Sequence, residues 1–184
     1  QRRHHYERAF EEYLRSRRIP YVAVDEARKA LLPRTSGEAG RDGAEALKSF
    51  DFVIYGDSGT NLLIDIKGRR IGTGSSAGNA LIRPGRLESW VTLEDVRSLE
   101  RWESLFGPGF GAAFVFVYWC EAQPPDALFQ EVFEHHGAWY ALRTVPVGAY
   151  KTHMKTRSPR WGTVYVPTAV FERISQPFAP AARC

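Results

Sequence analysis

The segment 49–68, SFDFVIYGDSGTNLLIDIKG, constrains the fold more than any other part of this sequence. Two apolar runs are separated by a turn-forming stretch that contains Gly, Asp and Ser, which is typical of an antiparallel β-hairpin. Each run also carries an acid, Asp51 in the first and Asp65 in the second, where an apolar residue would be easier to bury. Lys67 stands two residues beyond Asp65, so both side chains should project from the same face of the second strand.

The length of the turn decides whether the two acids meet. A five-residue loop at 56–60 sets Asp51 opposite Asp65, whereas a four-residue loop sets Asp51 opposite Ile64. We predict the longer loop, or a bulge that restores the same pairing. Two adjacent carboxylates repel each other unless a cation lies between them, and hard oxygen ligands suit Mg²⁺ or Mn²⁺. Lys67 would then orient an attacking water or offset charge in a phosphoryl transition state.

The same residues also have a purely structural interpretation. Asp51 can cap the end of a strand, and Asp65 can form an ion pair with Lys67 on a face that meets solvent. Isolated D-x-K strings are common in proteins. The apolar flanks, the hairpin and the second acid favour the catalytic interpretation.

These residues resemble the catalytic motif of the PD-(D/E)xK nuclease superfamily, with Phe50 where a proline often stands. The string HYERAFE at 5–11 also looks like the signature of the bacterial HYExAFE family. The resemblance implies a restriction-endonuclease-like α/β fold, with an α-β-β-β-α-β core and a mixed central sheet. It implies a Mg²⁺-dependent endonuclease or resolvase-like enzyme that cuts DNA. Its metal would be bound by Asp51, Asp65, a glutamate of the first helix and the backbone carbonyl of Ile66.

The first helix is predicted independently of this resemblance, over residues 5 to about 17. Its apolar residues fall on one stripe at helical periodicity: Tyr6, Ala9, Phe10, Tyr13 and Leu14. Glu7 borders that stripe, so its carboxylate can reach inward, and we predict it as the helical metal ligand. The alternative is a solvated acid near the helix N-terminus, where the helix dipole favours negative charge.

The segments around the hairpin are predicted with less regular structure. Residues 19–24 should form a short extended segment, and 33–43 a polar, glycine-rich loop. The Gly- and Ser-rich stretch 68–85 predicts a mobile basic loop over the substrate. The third core strand is not evident in the sequence; it lies in 70–82, or the chain departs from the usual pattern.

The rest of the core follows from ordinary helix and strand signals. Thr92-x-x-Asp95 predicts a capped helix start. The strand at 111–120 is apolar on both faces and should be central in the sheet. Residues up to about 120 thus predict a nuclease-like core. Residues 121–184 predict an α+β elaboration within the same single domain, with a hairpin turning at 136–137, a helix at 149–155, a strand at 161–166 and a final helix at 168–174.

The net charge is only +4, but basic residues concentrate in two segments without an acid, 66–87 and 137–171. Segregated positive charge is expected where a protein binds a phosphate backbone. The residues predicted to contact nucleic acid are Arg69, Arg70, Lys151, Lys155, Arg157, Arg160 and Trp161. Charge runs are often plain solvated surface, and a tryptophan such as Trp161 is more often core than a platform for base stacking. Both interpretations are open at this point.

Several functions lack the residues they need. No apolar run approaches the length of a membrane span, no HExxH or CxxC spacing indicates zinc, and the glycine-rich run at 72–78 lacks the Lys-Ser/Thr ending of a P-loop. We therefore predict neither membrane association nor a nucleotide cofactor. Cys120 and Cys184 predict no disulfide framework and hence a reducing, cytoplasmic location. No secretory signal is visible, and the start at Gln1 leaves the native N-terminus open.

Two alternatives to a nuclease remain open. The first is a nucleic-acid-binding protein on a nuclease scaffold with weak or lost catalysis. The second is an assembly module whose tryptophan-rich regions form a dimer interface. The likeness to resolvases makes a homodimer a candidate assembly for any of these functions.

Overall fold

The computed structural model describes residues 4–24, 47–56, 59–71, 87–120 and 131–178. Its helices are α1 His4–Ser16, α2 Leu93–Phe106, α3 Val147–His153 and α4 Thr168–Ile174. Its strands are β1 Tyr21–Ala23, β2 Phe52–Ile54, β3 Asn61–Ile71, β4 Val91–Thr92, β5 Phe110–Cys120, β6 Val132–His135, β7 Ala138–Pro146, β8 Lys155–Ser158 and β9 Thr163–Tyr165. The loop predicted at 33–43 lies outside the described residues, as does 72–85 of the loop predicted at 68–85. Residues 68–71 of that predicted loop belong to β3 instead, so its start is corrected.

Six strands form one mixed sheet in the order β1-β2-β3-β5-β7-β6. β3 and β5 run parallel and stay paired from Asn61↔Phe110 to Ile71↔Cys120, while the other neighbours are antiparallel. β5 is buried over most of its length because the sheet is covered on both faces. The prediction that this strand is central is confirmed.

Helices α1 and α2 cover opposite faces of this sheet. Ile64 packs with α1 in one core cluster, and its neighbour Leu63 packs with α2 in the other. Because side chains alternate along a strand, those of Asp65 and Lys67 share the face of Leu63. The sequence motif on β3 therefore lies beneath α2.

The third strand of the core is β1, in the segment 19–24 that the sequence marked only as extended. β1 pairs antiparallel with β2, with Tyr21 opposite Ile54. The elements α1, β1, β2, β3, α2 and β5 then complete the predicted α-β-β-β-α-β order. No further core strand after β3 is needed, so its expected position in 70–82 is corrected. β1 escaped prediction because it has three residues, two of them exposed, and shows no alternating pattern.

A second, smaller sheet has the order β4-β9-β8 and connects the start of α2 with the C-terminal third. The predicted helix at 149–155 begins and ends earlier, as α3, and Lys155 instead starts β8. No residue of β8 is apolar, so this strand has no hydrophobic pattern to reveal it. The predicted hairpin at 136–137 and the predicted last helix are confirmed as β6–β7 and α4. No helix in the described ranges is both long and apolar enough to cross a membrane.

Candidate active site

Asp51 lies directly before β2, and its carboxylate is directed at β3. The register Phe52↔Ile64 is the one that the longer loop produces, so the predicted register of β2 on β3 is confirmed. Just before the paired residues, the N–H of Asp51 donates to the carbonyl of Ile64 at 2.8 Å, which holds Asp51 against the segment of β3 that carries Asp65. The N–H of Ile66 donates a hydrogen bond to Oδ2 of Asp51 at 2.7 Å. The carboxylate thus takes the place of a strand carbonyl and is fixed beside β3.

The backbone carbonyl of Ile66 faces the same edge of β3. The N–H and C=O groups of one strand residue point to the same side. Since the N–H of Ile66 is directed at Asp51, its carbonyl is directed to that side as well. The last paired residue of β2 is Phe52, so this carbonyl lies where the β2 ladder has ended.

Lys67 lies between two carboxylates on the face covered by α2. Its Nζ atom is 3.0 Å from Oδ2 of Asp65 and 3.1 Å from Oδ2 of Asp95. Only 16% of the Lys67 side chain and 13% of the Asp65 side chain are exposed, so water screens the pair little. The shared face that the D-x-K spacing predicts is confirmed.

Asp95 joins the cap of α2 to this cluster. Its N–H donates to Oγ1 of Thr92 at 3.0 Å, and the N–H of Thr92 donates to Oδ2 of Asp95 at 2.9 Å. This capping box confirms the predicted helix start. The other carboxylate oxygen, Oδ1, is 2.9 Å from Nζ of Lys48. One side chain therefore caps a helix and holds two lysines.

Sequence reasoning did not assign Lys48 or Asp95 to the site. Lys48 is held against α2, because its N–H donates to Oγ of Ser98 at 3.1 Å and its carbonyl accepts from Nε1 of Trp102 at 2.7 Å. No spacing in the sequence indicates these contacts, since they join a segment before β2 to a helix that follows β3. The sequence explained Asp95 fully as a capping residue, so its contacts with Lys67 and Lys48 were not predicted.

The pKa values of the two buried carboxyl groups, those of Asp65 and Asp95, are shifted in opposite directions. Burial raises the pKa of Asp65, and the negative charge of Asp95 adds to this effect while Lys67 opposes it. Burial also acts to raise the pKa of Asp95, but the charge of Lys67 and the hydrogen bond from Lys48, together with the helix cap, outweigh it and lower that pKa to about 2. A further cation beside Asp65 would stabilise a charge that burial disfavours.

The donors beside β3 suit a hard cation that retains water. Across the ranges that the structure describes, no three His, Cys, Asp or Glu side chains converge to form a metal site. The nearby donors are the carboxylates of Asp51 and Asp65 and the carbonyl of Ile66. Mg²⁺ keeps several waters and binds through one or two carboxylates and substrate phosphates, so it does not need a cage of protein ligands. The donor set fits this ion.

Glu7 lies on the helix that covers the other face of the sheet. The preceding residue, Tyr6, packs against Gly68, where an added Cβ would lie 2.1 Å from Cδ2 of the Tyr6 ring. Only glycine permits this close approach, which puts the first turn of α1 next to the residue that follows Lys67. The role of Glu7 as a metal ligand stays a prediction.

Arg69 and Arg70 leave β3 in different directions. The Arg69 guanidinium lies 4.1 Å from the centre of the Trp90 ring and donates to the carbonyls of Gly68 and Trp90. Arg70 is exposed and lies 4.9 Å from the centre of the Trp119 ring. Arg69 therefore fixes Trp90 to β3, and of the two arginines Arg70 is the one at the surface.

The remaining predicted contacts with nucleic acid lie in the C-terminal third. Lys151 of α3 forms an ion pair with Glu100 of α2, with Nζ 2.9 Å from Oε2. The others lie on β8 and in the turn that follows it: Lys155, Arg157, Arg160 and Trp161. Trp161 is 71% exposed, so its interpretation as a core residue is wrong.

No protein-family model and no curated protein matches the chain. Among solved structures, it is similar to Hjc, a Holliday junction resolvase from the archaeal hyperthermophile Archaeoglobus fulgidus. The similarity has a TM-score of 0.50, covers 97% of this chain and 98% of that chain, and comes with 16% sequence identity. The fold is restriction-endonuclease-like. The predicted fold class is thus confirmed, and at this identity the likeness concerns the fold alone.

Proposed function

We propose that this protein is a metal-dependent nuclease that cuts DNA. The observation that carries the proposal is the cluster of Asp51, Asp65 and Lys67 at the end of the β2–β3 ladder of a resolvase-like fold. DNA is the proposed substrate because the similar protein is a Holliday junction resolvase and because β8 and its turn are basic. The string HYERAFE at 5–11 supports membership of the HYExAFE family as part of the same proposal.

The proposed metal ligands are Asp51, Asp65, the carbonyl of Ile66 and Glu7. A bound Mg²⁺ supplies Lewis-acid chemistry, which activates water and offsets phosphate charge. The hydrogen bond from the N–H of Ile66 holds Asp51 in place before any substrate arrives. This fixed geometry limits the reorganisation needed when the phosphate binds.

Lys67 is the proposed catalytic cation. Its ammonium has low exposure and is oriented by two carboxylates, so it can donate hydrogen bonds to the attacking water or to a non-bridging oxygen of the phosphate. The water oxygen forms a bond to phosphorus while one ester P–O bond breaks. The products are a phosphate end and a hydroxyl end. Asp95 acts as a positioning residue, because it holds Lys67 from the side of α2.

The test is to incubate the protein with linear, single-stranded and four-way-junction DNA in Mg²⁺, Mn²⁺ or EDTA. We expect cleavage that requires the divalent ion and is lost in Lys67→Ala and Asp65→Ala, with the fold and most DNA binding retained. Lys151→Ala is the matched control, since that lysine pairs with Glu100. Unchanged cleavage in both site variants would contradict the assignment.

Two other outcomes would replace the proposal. Salt-sensitive DNA binding without cleavage under any condition would favour a binding protein on a nuclease scaffold. No DNA binding, together with a molecular mass that rises with concentration, would favour the assembly module. A concentration-dependent mass together with metal-dependent cleavage would instead support a homodimeric nuclease.

A further inference from the structure

The turn between β8 and β9 presents an exposed indole. Trp161 is 71% exposed, the highest value among the large hydrophobic residues of the described chain. Gly162 follows it at φ +55°, a left-handed conformation that favours glycine and closes the turn. Single exposed apolar residues are common on protein surfaces. Trp161 differs from such residues in its position near the N-terminus of α2 and in the positive charges of the hairpin that carries it.

Backbone hydrogen bonding joins this turn to the candidate active site. The carbonyl of Gly162 accepts from the N–H of Leu93, the first residue of α2, at 2.7 Å. Two residues further along α2, Asp95 lies 3.1 Å from Nζ of Lys67. Trp161 therefore lies in a turn that is hydrogen-bonded, through Gly162, to the N-terminus of α2, the helix that carries Asp95.

Three side chains connect the β8–β9 hairpin, which contains this turn, to β3. Trp90 contacts two guanidinium groups, that of Arg69 on β3 at 4.1 Å and that of Arg157 on β8 at 5.0 Å from the ring centre. Each is a cation–π contact with the indole. Since β3 also carries Lys67, the hairpin is held in a defined position relative to the proposed catalytic strand.

The hairpin is positively charged and its cations are available. Within the described residues no carboxylate forms an ion pair with Lys155, Arg157 or Arg160, whereas Lys151 is paired with Glu100. The Arg160 guanidinium lies 5.4 Å from the centre of the Trp161 ring. Unpaired cations next to an exposed aromatic ring match a nucleic acid strand, since they offer sites for phosphates and a surface for a base.

The stacking surface restricts the form of DNA that fits. In a continuous duplex both faces of each base are covered by its neighbours, so an indole has no base face to contact. An unpaired base offers that face at a low cost of unstacking. We propose that Trp161 stacks on an unpaired base next to the candidate active site, and that the substrate is DNA with unpaired bases, as in single-stranded DNA or a duplex that contains an unpaired nucleotide. The inference rests on the proposed nuclease function and specifies its substrate class.

The test measures binding without cleavage, using a continuous duplex and the same duplex with one unpaired 2-aminopurine. Cleavage is prevented in two ways: by the substitution Lys67→Ala and, in a separate series, by EDTA. The Trp161 variants are compared in each series with the chain that retains Trp161. We expect the fluorescence of the unpaired 2-aminopurine to be quenched on binding. Trp161→Ala should abolish the quenching and weaken binding of this probe roughly 5- to 150-fold, while binding of the continuous duplex changes little. Trp161→Phe should retain most of both effects.

Leu105→Ala is the matched control for loss of an exposed apolar side chain. Leu105 is 54% exposed and lies near the other end of α2, about 18 Å along the helix from Leu93. It should leave binding of both probes unchanged. Quenching that persists in Trp161→Ala, or an equal loss of affinity for the two probes, would overturn the inference.

These results are separable from the fate of the nuclease proposal. If Trp161→Ala loses the quenching but the unaltered chain never cuts DNA, the stacking site stands and the nuclease proposal fails. If the chain cuts DNA with Mg²⁺ but Trp161→Ala binds both probes normally, the nuclease stands and the stacking site fails.

Discussion

Two basic regions of this molecule look alike in the sequence and differ in the structure. Beneath α2, Lys67 is 16% exposed and lies within 3.1 Å of two carboxylates. On the β8–β9 hairpin, Lys155, Arg157 and Arg160 have no carboxylate in an ion pair among the described residues. The guanidinium of Arg160 lies 5.4 Å from the centre of the exposed Trp161 ring. The first region holds cations in fixed positions, and the second presents them to solvent.

This difference determines what each region can do. A poorly solvated ammonium interacts strongly with each neighbour, so a single partner changes its position and its chemistry. Exposed cations are screened by salt and act through their sum, which suits binding of a phosphate backbone rather than chemistry on one phosphate. Counting positive charges in a sequence does not separate these two roles, because burial and pairing decide between them.

The largest expected effect distinguishes two lysines of the buried region. Under the proposed mechanism, Lys67→Met should slow cleavage roughly 10²- to 10⁴-fold, since it removes the proposed catalytic ammonium. Lys48→Met should have a smaller effect, roughly tenfold, because Lys48 is 42% exposed and reaches the cluster through Asp95. Single-turnover cleavage rates at saturating DNA measure both effects, and thermal unfolding checks the fold. Equal losses in the two variants would show that the whole cluster acts as one electrostatic unit.

The buried region should also be sensitive to acid. The pKa of Asp95 is about 2, below the ordinary value of 3.8, so its charge stabilises the fold above about pH 4 and this stabilisation is lost as the pH falls towards 2. The difference corresponds to about 2 kcal/mol in the free energy of unfolding. Asp95→Asn should be less stable than the unaltered chain by about this amount near neutral pH, and the gap should close in acid.

Urea unfolding at several pH values measures this gap. Asparagine retains an acceptor for the helix cap, so the variant mainly removes the charge that Lys67 and Lys48 contact. Glu94→Gln is the control, because Glu94 is 56% exposed and lies 3.4 Å from Lys48. A deficit of the same size at all pH values would contradict the stabilising role of the Asp95 charge.

Local patterns in the sequence predicted much of the fold and the common face of the central residues of the candidate site. The D-x-K spacing fixed the common face of Asp65 and Lys67, and the loop length fixed the register that brings Asp51 to β3. The capping box at Thr92 marked the start of α2. Each of these depends on residues within a few positions of one another or across one hairpin, where backbone geometry leaves few alternatives.

Contacts between remote segments were not predictable in this way. Lys48 and Asp95 meet because the segment before β2 packs on α2, and no period in the sequence records that packing. β8 is a polar edge strand without an apolar pattern. For Trp161 the sequence left open a core position or a contact with nucleic acid, and the turn that ends at Gly162 exposes its side chain to solvent. At each of these places, the exposure of the side chain is determined by contacts between segments that are distant in the sequence.

The smallest and most gradual effect belongs to the exposed region. In Lys155→Ala/Arg160→Ala, the slope of log K against log salt for duplex binding should become shallower by up to about 1.8, since each lost phosphate contact contributes roughly 0.9. Arg157 is left in place because it packs on Trp90. Lys151→Ala should leave the slope unchanged, since its ammonium is already paired with Glu100. The cleavage rate at saturating DNA should not change in either variant. A reduced rate would mean that the hairpin contributes to the chemistry, and the division between a buried catalytic region and an exposed binding region would then be wrong.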